Sequence, residues 1–175
     1  MKIAFYGTAS QVGTSANMAV VAEFFRCCQK IAMENYPQTF GDNTSIIFQD
    51  YSHKKDEIWN SLADVDLVVV NLPDSDRSFE TLFFSNSLVQ KNVIFLFGKY
   101  FHNDTNALIA FAKNYRIDMG RVCAIPYNLR FGQAYENHRL SSYLMQKKDS
   151  FEDELFKKNL WDVMRAILTY AGNNK

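Results

Sequence analysis

The sequence predicts an α/β fold, a three-layer arrangement in which a mostly parallel sheet carries helices on both faces. Three observations predict it. Short apolar runs alternate with helical patterns along the whole chain, in the order β-α-β-α-β-α-β-α-β-α-α. The run Leu67-Val68-Val69-Val70 is apolar without interruption, as a strand covered on both faces must be. Gly and Pro are scarce, at 7 and 3, against 15 Phe and 9 Tyr, which suits a compact core with few long loops.

Lys2–Tyr6 reads as a short buried strand, followed by the small, polar stretch Gly7–Gly13. From Thr14 to about Asn35 the pattern is helical, with Met18, Val21, Ala22, Phe25, Cys28 and Ala32 on one face, and Pro37 and Gly41 end it. Ser45–Phe48 is a second strand and Lys54–Leu62 a short amphipathic helix. Asp66–Leu72 is the clearest strand, and Pro73–Asp76 starts a helix striped by Phe79, Leu82, Phe83 and Leu88. Val93–Phe97 is the next buried strand. Asp104–Tyr115 is a helix capped by Asn103 or Asp104. Arg121–Ile125 is a strand stopped by Pro126. Leu129–Leu144 reads as a helix interrupted by Gly132, and Glu152–Tyr170 as a strong final helix.

A chain of 175 residues fits one domain, 1–175. Apolar residues at 47% and charged residues at 22% are ordinary for a globular protein. The formal net charge is zero, so a DNA or membrane contact is not indicated by charge. Charges of both signs interleave around Lys147-Lys148 and Lys157-Lys158, as on a solvated helix face. No apolar run approaches the roughly 20 residues of a membrane span, and no secretory leader is read at the start. Cys27, Cys28 and Cys123 lack metal-ligand spacing and a sensible disulfide pairing; they suit a reduced, cytoplasmic protein. His53, His102 and His138 form no ligand motif, and no G-x-S-x-G elbow exists.

In a doubly wound sheet, ligands bind outside the carboxyl ends of the strands. The stretch after the first strand, Gly7-Thr8-Ala9-Ser10-Gln11-Val12-Gly13-Thr14-Ser15-Ala16, is therefore the first place to look. Its small residues let backbone N–H groups approach an anion, and the following helix N-terminus favours phosphate. Against the pattern G-x-x-x-x-G-K-[ST], Gly13 and Ser15 fit, Thr14 stands at the lysine, and Gly7 falls one residue early. Ser15 stands where a hydroxyl ligates Mg²⁺.

Four segments resemble the ParA/MinD-type P-loop ATPases, and within them a divergent branch with TadZ- and CpaE-like proteins. They are Gly7–Asn17, the run Ala63–Pro73 that looks like a strand ending in D-x-P, Phe97–Tyr100, and Ile125-Pro126-Tyr127-Asn128. The resemblance implies a P-loop NTPase-like fold that binds ATP or ADP with Mg²⁺ and forms a homodimer. It implies a bacterial, cytoplasmic role in positioning or partner recruitment: pilus or secretion systems, conjugation, or DNA partition. The nucleotide-binding residues it implies are Gly7, Ser10, Gln11, Val12, Gly13, Thr14, Ser15, Ala16, Lys99, Pro126, Tyr127 and Asn128, with Lys99 near the base.

The departures bear on chemistry. Thr14 replaces the loop lysine, Ala9 the family's second signature lysine, and Asn71 the D-x-P aspartate. Asp50 is the carboxylate left to order a water or, with Ser15, Mg²⁺. Each lost charged contact commonly costs about 3–4 kcal/mol of transition-state stabilisation. The expectation is a degenerate loop with weak or no hydrolysis. Two alternatives stay open: a scaffold that binds no nucleotide, and a flavodoxin-like protein whose Thr8, Ser10, Thr14 and Ser15 hydroxyls cradle FMN phosphate.

Overall fold

A computed structural model describes residues 1–9, 12–35, 46–52, 64–73, 92–100, 105–147 and 149–172. Alternation along each apolar run sorts side chains to opposite faces of a sheet. The strands are β1 (Lys2–Gly7), β2 (Ile47–Asp50), β3 (Leu67–Leu72), β4 (Val93–Tyr100) and β5 (Val122–Pro126). All pairings are parallel, in the order β2-β1-β3-β4-β5. This is the doubly wound order of the flavodoxin type.

The helices are α1 (Thr14–Asn35), α2 (Asn106–Tyr115), α3 (Leu129–Glu136), α4 (Leu140–Leu144) and α5 (Phe151–Ala171). The step from β1 through α1 to β2 runs one way across the sheet, and that from β4 through α2 to β5 runs the other. Crossovers of one hand then place α1 and α2 on opposite faces. The core follows this division. Ile3, Phe5, Leu67, Val69, Ile94 and Leu96 pack with Val20, Val21, Phe24 and Phe25 of α1 and Phe156, Leu160, Val163 and Ile167 of α5. Ala4, Tyr6, Val68, Val70, Phe95 and Phe97 pack on the other face with Leu108 and Ala112 of α2. Each large apolar side chain so buried contributes roughly 1.5–3 kcal/mol.

Several predicted details shift. The buried stripe of α1 runs through Val20, Val21, Phe24, Phe25 and Cys27, with Met18 and Cys28 only partly covered. Leu129–Leu144 is two helices, and the break lies at Asn137–Arg139, where His138 takes a left-handed φ of 55°. Gly132 sits inside α3 and interrupts nothing. β4 runs three residues past Phe97. Trp161 is 48% exposed, meeting Phe24 edge-on at 5.2 Å, so it only rims the core. Cys123 is a core residue of β5, and burial pushes its thiol up to about 12. The predicted helices over 54–62 and after Pro73, the caps Asn103 and Asp104, and His53, His102 and Lys148 lie outside the described residues.

Asp153 knits α3, α4 and α5 together. Its carboxylate, fully buried, accepts from Asn128 Nδ2 at 3.1 Å, Tyr143 Oη at 3.0 Å and Ser150 Oγ at 2.8 Å, and pairs with Arg130. Ser150 and Asp153 also form a capping box that starts α5.

Candidate functional site

The chain steps from β1 out to β2 and then back across β1 to β3. The carboxyl ends of β1 and β3 therefore flank the topological switch point, where ligands of open α/β sheets bind. The Gly7–Ser15 stretch opens there. Thr8 N donates to Asn71 O at 3.1 Å, tying the stretch to the end of β3.

Gly7 and Gly13 have different physical jobs. A Cβ on Gly7 would collide with Thr14 Oγ1. Gly13 has a φ of 79°, and the nearest atom to a Cβ there would be Lys99 Cε at 3.8 Å. Gly13 is required for its backbone, not for space. Thr14 is buried, at 5% exposure. Thr8 Oγ1 is buried without any partner. An orphaned buried hydroxyl costs about 1–3 kcal/mol unless something else satisfies it. Val12 is buried, and Ala16 lies in the first turn of α1.

Asn71 explains why the D-x-P aspartate is missing. Its Nδ2 donates to Tyr6 O at 3.2 Å and Val69 O at 3.4 Å, and its Oδ1 accepts from Asn17 Nδ2 at 2.9 Å. Two carbonyl acceptors demand an N–H₂ group, so this position calls for an amide. A fully buried Asn71 with these bonds does not reach a metal. Ser15 Oγ lies 3.2 Å from Ser52 Oγ, and Ser52 N donates to Asp50 Oδ1 at 2.8 Å. Ser15 and Asp50 are thus linked through Ser52. Among the described residues, no three His, Cys, Asp or Glu side chains gather as a metal site.

The remaining predicted residues lie farther along the same sheet edge. Tyr127 N donates to Tyr100 O at 2.9 Å, holding the segment after Pro126 to the end of β4, and the Tyr127 side chain is 52% exposed. Asn128 is turned inward: its Oδ1 caps α3 through Phe131 N at 2.8 Å and its Nδ2 serves Asp153. Lys99 sits beside Gly13, with its Cε 3.8 Å from where a Cβ on Gly13 would be. Ser10 and Gln11 lie outside the described residues. Lys157 of α5 pairs at 2.7 Å with Asp149, which precedes the helix.

Sequence reading assigned no role to Asn17 or Gly98. A Cβ on Gly98 would lie 2.5 Å from Asn17 Nδ2 and 2.6 Å from Val12 O, so β4 packs its backbone directly on the stretch. A glycine inside an apolar strand signals such an approach. A separate cavity of about 340 Å³ lies between α2, β5 and α5, lined by Leu108, Met119, Cys123, Asp162 and Tyr170. It is not part of the switch-point crevice.

Among solved structures, the chain is similar to a protein assigned to plasmid partition in Borrelia burgdorferi B31, solved with AMPPNP bound. The TM-score is 0.59 at 11% identity, over 96% of this chain and 98% of that one. The two share a fold. Neither family profiles nor curated proteins match this chain. No helix among the described residues is long and apolar enough to cross a membrane.

Proposed function

We propose that this chain is a ParA/MinD-like nucleotide-binding protein of the TadZ/CpaE-like branch, a bacterial, cytoplasmic positioning or recruitment factor with very slow or no hydrolysis. The carrying observation is the buried, unpartnered Thr8 hydroxyl at the switch point where α1 begins. A phosphate there satisfies it and accepts from the free N–H groups of the first turn of α1. The fold is shared with a protein solved with AMPPNP, which supports ATP or ADP as the ligand.

Gly7, Val12, Gly13, Thr14, Ser15 and Ala16 hold the phosphates in this reading. Exposed Tyr127, at the carboxyl edge of the same sheet, meets the base. Mg²⁺ arrives with the nucleotide, and Ser15 and Asp50 serve it only after parting from Ser52. Hydrolysis fails because Thr14 and Ala9 are uncharged and Asn71 is spent on structure. Exposed Tyr127 and Leu129 make the same edge apolar, which suits a homodimer that nucleotide barely affects.

The strand order favours a second reading, in which FMN puts its phosphate at the β1/β3 switch point. Titration calorimetry with ATP and ADP, each with Mg²⁺, and with FMN separates the possibilities. Heat from ATP or ADP with colourless protein is expected. A yellow protein or FMN heat alone supports the flavin reading, and silence from all three leaves a nucleotide-independent scaffold.

A further inference from the structure

We infer that Lys99, delivered by a bulge in β4, supplies the phosphate-side positive charge that the first loop lacks. The inference rests on the reading of a phosphorylated ligand at the switch point. It concerns where the cation comes from.

The pairing of β4 with β5 runs Phe97 with Ala124 and then Tyr100 with Pro126, so three steps on β4 match two on β5. Phe97 and Tyr100 both remain on the α2 face, with ring centroids 6.3 Å apart. In a regular strand, residues on one face are two apart. Here Gly98 and Lys99 fit between them, and the extra residue re-aims the chain. Lys99 takes up the change with a φ of 53°, a left-handed conformation costing a lysine roughly 1–2 kcal/mol.

Gly98 then presses its backbone onto Val12 O and Asn17, which brings Lys99 to the loop. Lys99 is exposed, and its Cε lies 3.8 Å from where a Cβ on Gly13 would be. Among the described residues its ammonium has no carboxylate or hydrogen-bond partner. An unpaired ammonium therefore stands over the turn beside Thr8, whose buried hydroxyl is unsatisfied. Thr14 itself fills the usual lysine position and is buried. A lysine is a compact, flexible point charge, so it can serve phosphate from a different strand if its stem reaches. The route through β4 differs from a loop lysine in one respect: the charge is held by the sheet edge and not by the helix N-terminus.

The test uses Lys99→Gly, which suits the left-handed backbone and deletes only the side chain, with Lys99→Arg as the charge-keeping partner. Calorimetry with ATP, ADP and adenosine, at low and high salt, reads the effect. The expected result is a loss of roughly tenfold or more in ATP affinity for Lys99→Gly, with adenosine affinity unchanged and a shallower salt dependence. Lys99→Arg should keep most of the affinity. Wild-type ATP affinity in Lys99→Gly overturns the inference and leaves the nucleotide reading standing. So does an equal loss for ATP and adenosine, because that marks a positioning role for the strand. Wild-type protein that binds neither ATP nor ADP removes the nucleotide reading and this inference together.

Discussion

Asn17 Nδ2 donates to Asn71 Oδ1 at 2.9 Å, and both side chains are buried, at 3% and 0% exposure. The bond joins the first turn of α1 to the end of β3 across 54 positions of sequence. It fixes the helix start, and with it Gly13 and Thr14, relative to the switch point.

Restoring the family's aspartate should therefore harm this protein. In Asn71→Asp a carboxylate oxygen would face Tyr6 O and Val69 O, two acceptors that only a donor satisfies. A buried, unpaired charge costs about 3–5 kcal/mol. Such a carboxyl is raised above its unfolded value, so the native state binds the extra proton. Stability should recover as pH falls and decline as pH rises through the raised value. Urea unfolding at about pH 5 and pH 7.5 measures this. Equal losses at both values would contradict it.

Gly13→Val tests the loop backbone. The nearest atom to an added Cβ is 3.8 Å away, so the cost is the φ of 79°. A β-branched residue there should lose roughly 1–2 kcal/mol or distort the turn. On the proposed reading, ATP binding falls below detection while circular dichroism stays native. ATP affinity that survives in a folded variant would take this turn out of the site.

Asp153 should govern acid stability. Burial pushes its carboxyl up, but hydrogen bonds from Ser150, Asn128 and Tyr143 outweigh that and hold it at about 2. A depressed value means the contribution is complete above the usual carboxylate range and is lost as pH falls from about 4 towards 2. The amount is on the order of 2 kcal/mol. Asp153→Asn should flatten the acid limb of the stability profile, and an unchanged limb would show that other groups set it.

Gly132→Ala should stabilise the protein. Gly132 lies within α3, and a Cβ there meets nothing within 4 Å. Removing a helix-interior glycine commonly gains about 0.5–1 kcal/mol. A thermal midpoint that falls would mean α3 needs glycine for a reason its backbone does not reveal.

The sequence by itself determined the order of the strands along the chain, the parallel sheet and the start of α1. Those features are local. Period-two and period-3.6 patterns report which faces are covered, and Gly13 before Thr14 marks a turn into a helix. It also located the switch-point loop, since β1 must open at the carboxyl edge of such a sheet. Only the tertiary structure decided the chemistry around that loop. Whether position 71 wants a carboxylate or an amide depends on the carbonyls of Tyr6 and Val69, which pairing of β1 with β3 brings there. Lys99 reads in sequence as one more lysine after an apolar run. It stands beside Gly13 because β4 gains a residue against β5 and Gly98 has no side chain to hold Val12 away. Asn128 ends a motif in the sequence, and only the fold brings the buried carboxylate of Asp153 to its amide. Each of these outcomes joins residues far apart in the chain, and periodicity carries no record of which partner a side chain meets.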